Sequence, residues 1–126
     1  MSIRRSYDGI RFDPPAPVCP LLVAAPSSQD AILLPTLVAS GADCTLIPES
    51  VARQLGLPRI DRLTLEGIEG IARPVPVYAA VVEFAGHRVL ARLAAYGDDA
   101  ILGRDLLARV TSVLDGPKQR LTIRSR

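Results

Sequence analysis

Aromatic residues and histidine are scarce in this chain. Of its 126 residues, 4% are aromatic, none is Trp, and His87 is the single histidine. A core built without large rings must rely on aliphatic side chains, and 48% of the residues are hydrophobic. This share excludes a disordered chain, because it supplies enough apolar surface to offset the entropy lost on folding. The length is typical of one domain.

Neither positively nor negatively charged residues are clustered along the sequence. The 15 basic and 13 acidic residues are interspersed and give a net charge of +2. Domains that bind nucleic acid usually carry a basic stripe, and none is seen here. The Arg4-Arg5 pair and the final Arg124 and Arg126 are interpreted as solvated chain ends. We therefore expect no nucleic-acid partner.

Cysteines and long apolar runs are also few. Cys19 and Cys44 have no histidine near them, whereas a zinc site takes about four ligands. We expect two free thiols in a reducing cytoplasm and no metal. The apolar run 18–25 is short and broken by Pro20, so it predicts a first strand rather than a signal peptide. No run approaches the length of a membrane span, and no membrane partner is expected.

Short apolar or alternating runs separated by turn signals predict many strands. Residues 48–55 are predicted to form a short helix that Gly56 and Pro58 terminate, and a second helix is predicted at about 104–110. Residues 1–17 are predicted to be an irregular leader, which could be disordered, an interface arm or a removable pro-segment. Residues 18–126 are then a mostly β domain, a small closed antiparallel barrel. The predicted strands are 18–25, 31–38, 45–47, 62–65, 71 onward, 78–84, 88–93, 100–102, 110–114 and 119–123.

Three segments occur in a fixed order: LVASGADCTLIP at 37–48, EGIEG at 66–70 and ILGRDLL at 101–107. Together they resemble the retropepsin-like aspartic proteases, in a single-domain, bacterial-type form, over roughly residues 18–123. The resemblance implies a homodimer that hydrolyses peptide or protein substrates without metal or cofactor. In that family each subunit supplies one Asp, and the two carboxyls share a proton and activate a water.

The Asp position of the family's motif is occupied here by Ala39, and Ser40 and Gly41 match the next two positions. The resemblance implies that Ser40 braces the two active-site loops and that Gly41 allows close approach of substrate. Without a carboxylate at position 39 the chain is predicted to be inactive. Taken alone, the segment could equally be an ordinary turn of small residues.

The resemblance assigns roles to other residues of the three segments. Asp43 and Arg104 would form an ion pair that stiffens the loop, and Asp43 would also contact substrate; the alternative is two exposed charges. The second segment would be a flap that closes over the peptide, although it could be an ordinary hairpin. Its residues are Glu66, Gly67, Ile68, Glu69 and Gly70.

Two explanations of Ala39 remain open at this point. An active protease could have been inactivated by an Asp-to-Ala change, or the chain could be a natural pseudoprotease that binds peptides as a dimeric module. The first is favoured because Ser40, Gly41, Asp43 and Arg104 are all retained.

Overall fold

Strands dominate the computed structural model, which describes residues 2–67 and 70–125. The elements of this part of the chain are β1 (Ser2–Ser6), β2 (Val18–Ala24), β3 (Ala31–Val38), β4 (Leu46–Ile47), α1 (Glu49–Leu55), β5 (Arg59–Glu66), β6 (Ala72–Phe84), β7 (His87–Ala95), β8 (Ile101–Leu102), α2 (Arg104–Leu107), β9 (Thr111–Asp115) and β10 (Arg120–Arg124). Within the described ranges, no helix is both long enough and apolar enough to cross a membrane.

Most of the strands form a closed barrel. The larger sheet has the order β2-β3-β8-β4-β7-β6-β5, and a further pairing of β2 with β6 closes the ring. Strand β5 lies outside the ring as the hairpin partner of β6. The pairings β3–β8 and β4–β7 are parallel, and the remaining pairings are antiparallel. The predicted closed, mostly antiparallel barrel with short helices is therefore confirmed.

Alternation along the strands produces the aliphatic core. In β2, the side chains of Cys19, Leu21 and Val23 are fully buried, while the residues between them are partly exposed. This period of two places every second side chain on the inner face of the barrel. The buried hydroxyl of Thr36 donates a hydrogen bond to the carbonyl oxygen of Cys19 at 2.7 Å, so this polar group is satisfied inside the core.

A second sheet joins the two ends of the chain, with strand order β1-β10-β9. The predicted hairpin near the C-terminus is present as β9 and β10. The expectation of an irregular leader is corrected for Ser2–Ser6, which pair with β10 over five residues. Ile3 lies opposite the buried Ile123 and packs against the core, whereas the neighbouring polar side chains face solvent.

Both helices are shorter than predicted. Helix α1 begins after Pro48, which has an extended backbone, and ends at Leu55. The next residue, Gly56, terminates the helix with a left-handed φ of 59°. Helix α2 ends at Leu107 because the following amides turn back tightly. The Arg109 amide donates to Leu106 and the Val110 amide to Leu107, three residues back rather than four.

A close backbone contact joins the segment after β8 to the segment before β4. A Cβ atom on Gly103 would lie 2.4 Å from the carbonyl oxygen of Cys44, so only glycine fits. The Gly103 amide donates to Thr45 Oγ1 at 3.1 Å, and that hydroxyl donates to Asp105 Oδ1 at 2.7 Å. The Thr45 amide donates to Asp105 Oδ2 at 3.0 Å. We call these three residues, Gly103, Thr45 and Asp105, the junction.

Replacing Gly103 with Ala is expected to destabilise the fold by about 1–3 kcal/mol, because backbone must move to admit the methyl group. Urea unfolding followed by circular dichroism measures the loss. Gly116→Ala is the matched control, since a Cβ there would meet nothing within 4 Å. Equal unfolding midpoints for the two variants would contradict the close contact.

Candidate active site

The segment that carries Ala39 is held by the short parallel pairing of β3 with β8. Leu37 and Val38 lie in register with Ile101 and Leu102. The Ala39 amide then donates to the carbonyl oxygen of Leu102 at 3.0 Å. Ala39 is half-buried at the end of β3, where the chain leaves the barrel.

A tight turn follows Ala39. The Ala42 amide donates to the carbonyl oxygen of Ala39 at 3.1 Å, which leaves Ser40 and Gly41 exposed at the tip. A Cβ atom on Gly41 would have no atom of this chain within 4 Å. Packing within this chain therefore does not require glycine at this position, unlike at Gly103.

Arg104 ties this turn to the start of α2. Its Nη1 donates to the carbonyl oxygen of Ser40 at 2.7 Å, and its Nη2 forms an ion pair with Asp43. The Arg104 amide also donates to the carbonyl oxygen of Ala42 at 2.9 Å. The side chains of Arg104 and Asp43 are 54% and 88% exposed, so the ion pair alone contributes only about 0–1 kcal/mol. Its role is geometric, since one guanidinium spans two points of the loop.

Two residues that were not predicted from the sequence, Thr45 and Asp105, hold the loop in place through hydrogen bonds. They belong to the junction, and Asp105 also accepts a hydrogen bond from the Leu106 amide at 2.8 Å. Thr45 is completely buried, so its hydroxyl needs the partners that Gly103 and Asp105 supply. The acidic residue next to Arg104 was a visible signal, but its partner lies 60 positions away.

A groove of about 790 Å³ lies between this loop and the β5–β6 hairpin. Gly41, Ala42 and Asp43 line one side, and Glu66 and Gly67 line the other. The structure thus brings these predicted site residues to one groove.

The hairpin tip is closed by a hydrogen bond from the Gly70 amide to the carbonyl oxygen of Gly67 at 3.0 Å. Gly70 adopts a φ of 74°, a left-handed conformation that favours glycine. Ile68 and Glu69, which were predicted to contact substrate, lie outside the described residues.

Cys44 and Tyr96 also line the groove. Burial raises the pKa of the Cys44 thiol, and the nearby Asp105 and Asp43 carboxylates raise it further. The thiol therefore stays neutral near pH 7 and acts as a small half-buried hydrophobe. The guanidinium of Arg73 lies 6.0 Å from the centre of the Tyr96 ring, within range of a cation–π contact.

Few groups near position 39 could transfer a proton. With Ala39 at the end of β3, this position offers no group that can take or give a proton. Asp43 is engaged by Arg104, and Glu66 lies across the groove on the hairpin. The described arrangement is an open groove that lacks a general base at position 39.

No protein-family model matches the chain, and no curated protein matches it in sequence. Its structure is similar to that of the EIAV protease complexed with the inhibitor HBY-793. The TM-score is 0.60 at 18% identity, over 80% of this chain and 90% of that chain. The chain therefore has the retropepsin-like fold, in agreement with the sequence-based prediction.

Proposed function

We propose that the chain is a subunit of a homodimeric aspartic endopeptidase of the retropepsin-like, bacterial single-domain type. Ala39 occupies the position of the catalytic Asp, so this form binds peptide without cutting it. The observation that carries the proposal is the position of Ala39. Ala39 directly follows β3 and is hydrogen-bonded to Leu102. It precedes a Ser40–Gly41 turn that Arg104 braces at the mouth of the groove.

The chemistry needs two copies of this loop. An Asp at position 39 in each subunit would place two carboxyls side by side on a two-fold axis, where both cannot ionise at once. The pair would share a proton, activate a water and polarise the scissile carbonyl. The hairpin 66–70 would act as the flap that covers the peptide. With Ala39 in both copies, the water has no base.

The free edge of β9 is the proposed contact between subunits. Within the described residues, β9 pairs with β10 on one side and has no strand on the other. Leu114 lies opposite Leu121, which is completely buried, yet Leu114 itself is 52% exposed. A second β9 added edge to edge around a two-fold axis would continue the sheet and cover Leu114. Both cysteines are free, which agrees with the reducing cytoplasm expected for this subunit.

The second candidate is a dimeric peptide-binding module that never cleaves. Ala39 is the observation that favours it, because a chain selected only for binding has no use for a carboxylate. Such a module would hold an extended peptide in the groove through backbone hydrogen bonds.

Ala39→Asp is expected to create peptidase activity by restoring the carboxyl pair. Both forms are incubated with a mixed peptide library from pH 4 to pH 8, and products are identified by mass spectrometry. Cleavage by the Asp form alone, blocked by a statine-type inhibitor, supports the protease. A folded, dimeric Asp form that cuts nothing would favour the binding module.

Arg104→Lys in the Ala39→Asp background is expected to lower kcat by about 10- to 100-fold, because lysine cannot hold Ser40 and Asp43 together. The free energy of unfolding should change by less than about 1 kcal/mol, since the pair is exposed. Steady-state kinetics and urea unfolding separate the two effects. The control is Arg53→Lys, at an exposed position of α1; equal kcat for both variants would remove the bracing role.

Leu114→Lys is expected to shift the dimer towards monomer, because a charged side chain would replace the exposed apolar one that the second strand is proposed to cover. Sedimentation velocity over a range of concentrations measures the shift. Leu33→Lys is the control, since Leu33 is 63% exposed on β3. A variant at Leu114 that dimerises as well as this control would exclude the β9 edge as the interface.

A further inference from the structure

A second cavity, of about 320 Å³, lies on the far side of the turn that borders the groove. Asp43 and Cys44 line both cavities, so the two adjoin at this pair of residues. We call the smaller one the side cavity. An extended peptide rises about 3.3 Å per residue, so a few further residues carry it from the groove past the turn.

The side cavity has an apolar floor. Val77 and Ala94, from neighbouring strands, and Leu106, from α2, are almost completely buried beneath it. Leu90 lies at the rim and is 65% exposed. The floor can therefore accept the methylene groups of a side chain but provides no polar partner for its end.

The two carboxylates of the side cavity are already engaged by this chain. Asp43 forms the ion pair with Arg104. Asp105 accepts hydrogen bonds from the Thr45 amide, the Thr45 hydroxyl and the Leu106 amide. Each carboxylate is thus at least partly neutralised or hydrogen-bonded within this chain.

The side cavity is also lined by two arginines, which differ in whether this chain supplies a partner for the guanidinium group. Arg92 is paired with Asp61. Arg109 is exposed, and its side chain makes no hydrogen bond or ion pair with any residue of the described ranges. Asp105 precedes Arg109 by four positions, a spacing that pairs charges on a helix. Helix α2 ends at Leu107, however, and both Asp105 oxygens are bonded to Thr45.

We infer that the side cavity is a specificity subsite for an acidic side chain of the bound peptide. The methylene groups of that side chain would lie on the apolar floor, and its carboxylate would pair with Arg109. This inference rests on the proposed function, since it needs an extended peptide in the groove. Arg109 is thereby assigned as a specificity-determining residue rather than a catalytic one.

The test uses twelve-residue fluorescent peptide pools in which one position at a time is fixed as Glu, Gln or Lys and the others are mixed. Binding to the Ala39 chain as it stands is measured by fluorescence polarisation. We expect one position where Glu binds about two- to fivefold more tightly than Gln, the range of an exposed ion pair. Arg109→Gln should abolish this preference, and Arg109→Glu should transfer it to Lys.

Arg53→Gln is the matched control, because it removes an exposed arginine on the other helix and should leave the preference unchanged. The preference should also weaken in 0.5 M NaCl, as an exposed charge pair is screened. Any of three results would overturn the inference. Either no pool binds, or no position prefers Glu, or the preference is retained in Arg109→Gln.

Cleavage of the same pools by the Ala39→Asp form separates this result from the proposed function. Cleavage without an acidic preference leaves the protease standing and removes the side-cavity subsite. An acidic preference in binding without cleavage leaves the subsite standing and favours the peptide-binding module.

Discussion

The contact between Gly103 and Cys44 is the constraint on which the site depends. It brings two backbone segments together without an intervening side chain, and the Thr45 hydroxyl links them as both acceptor and donor. Because Gly103 directly precedes α2, this contact fixes where the helix begins. Arg104 then lies within reach of the turn after Ala39. One side of the groove is therefore positioned by the junction, in which Gly103 and Thr45 are buried.

Much of the fold could be predicted from the sequence, because its signals are local. The alternation of buried and exposed residues in β2, the left-handed Gly56 and the turn after Asp115 are each read from a few neighbouring residues. Strand β1 could not be predicted in this way. Ile3 is its only apolar residue, and its partners lie at the opposite end of the chain. The end of α2 depends on tight hydrogen bonds that composition does not reveal.

The residues of the candidate site likewise fall into those that local sequence identifies and those that only long-range contacts identify. Ser40, Gly41, Asp43 and Arg104 were identified because they belong to a recognisable motif. Thr45 and Asp105 were missed since their roles exist only through a contact across 60 positions. Arg109 carries no motif either. Its proposed role follows from the charges around it, because the partner of each neighbouring charged residue is known only from the structure.

The pairing of β1 with β10 has a consequence for how the molecule is made. Ser2 lies in register with Arg124, so nearly the whole chain separates two residues that become neighbours. Closing so long a loop contributes to slow folding. During synthesis on a ribosome, β1 cannot join this sheet until β10 has been made, because β10 lies between β1 and β9. Until β10 has emerged, β1 and β9 both lack the strand that lies between them, so either could pair with another chain instead.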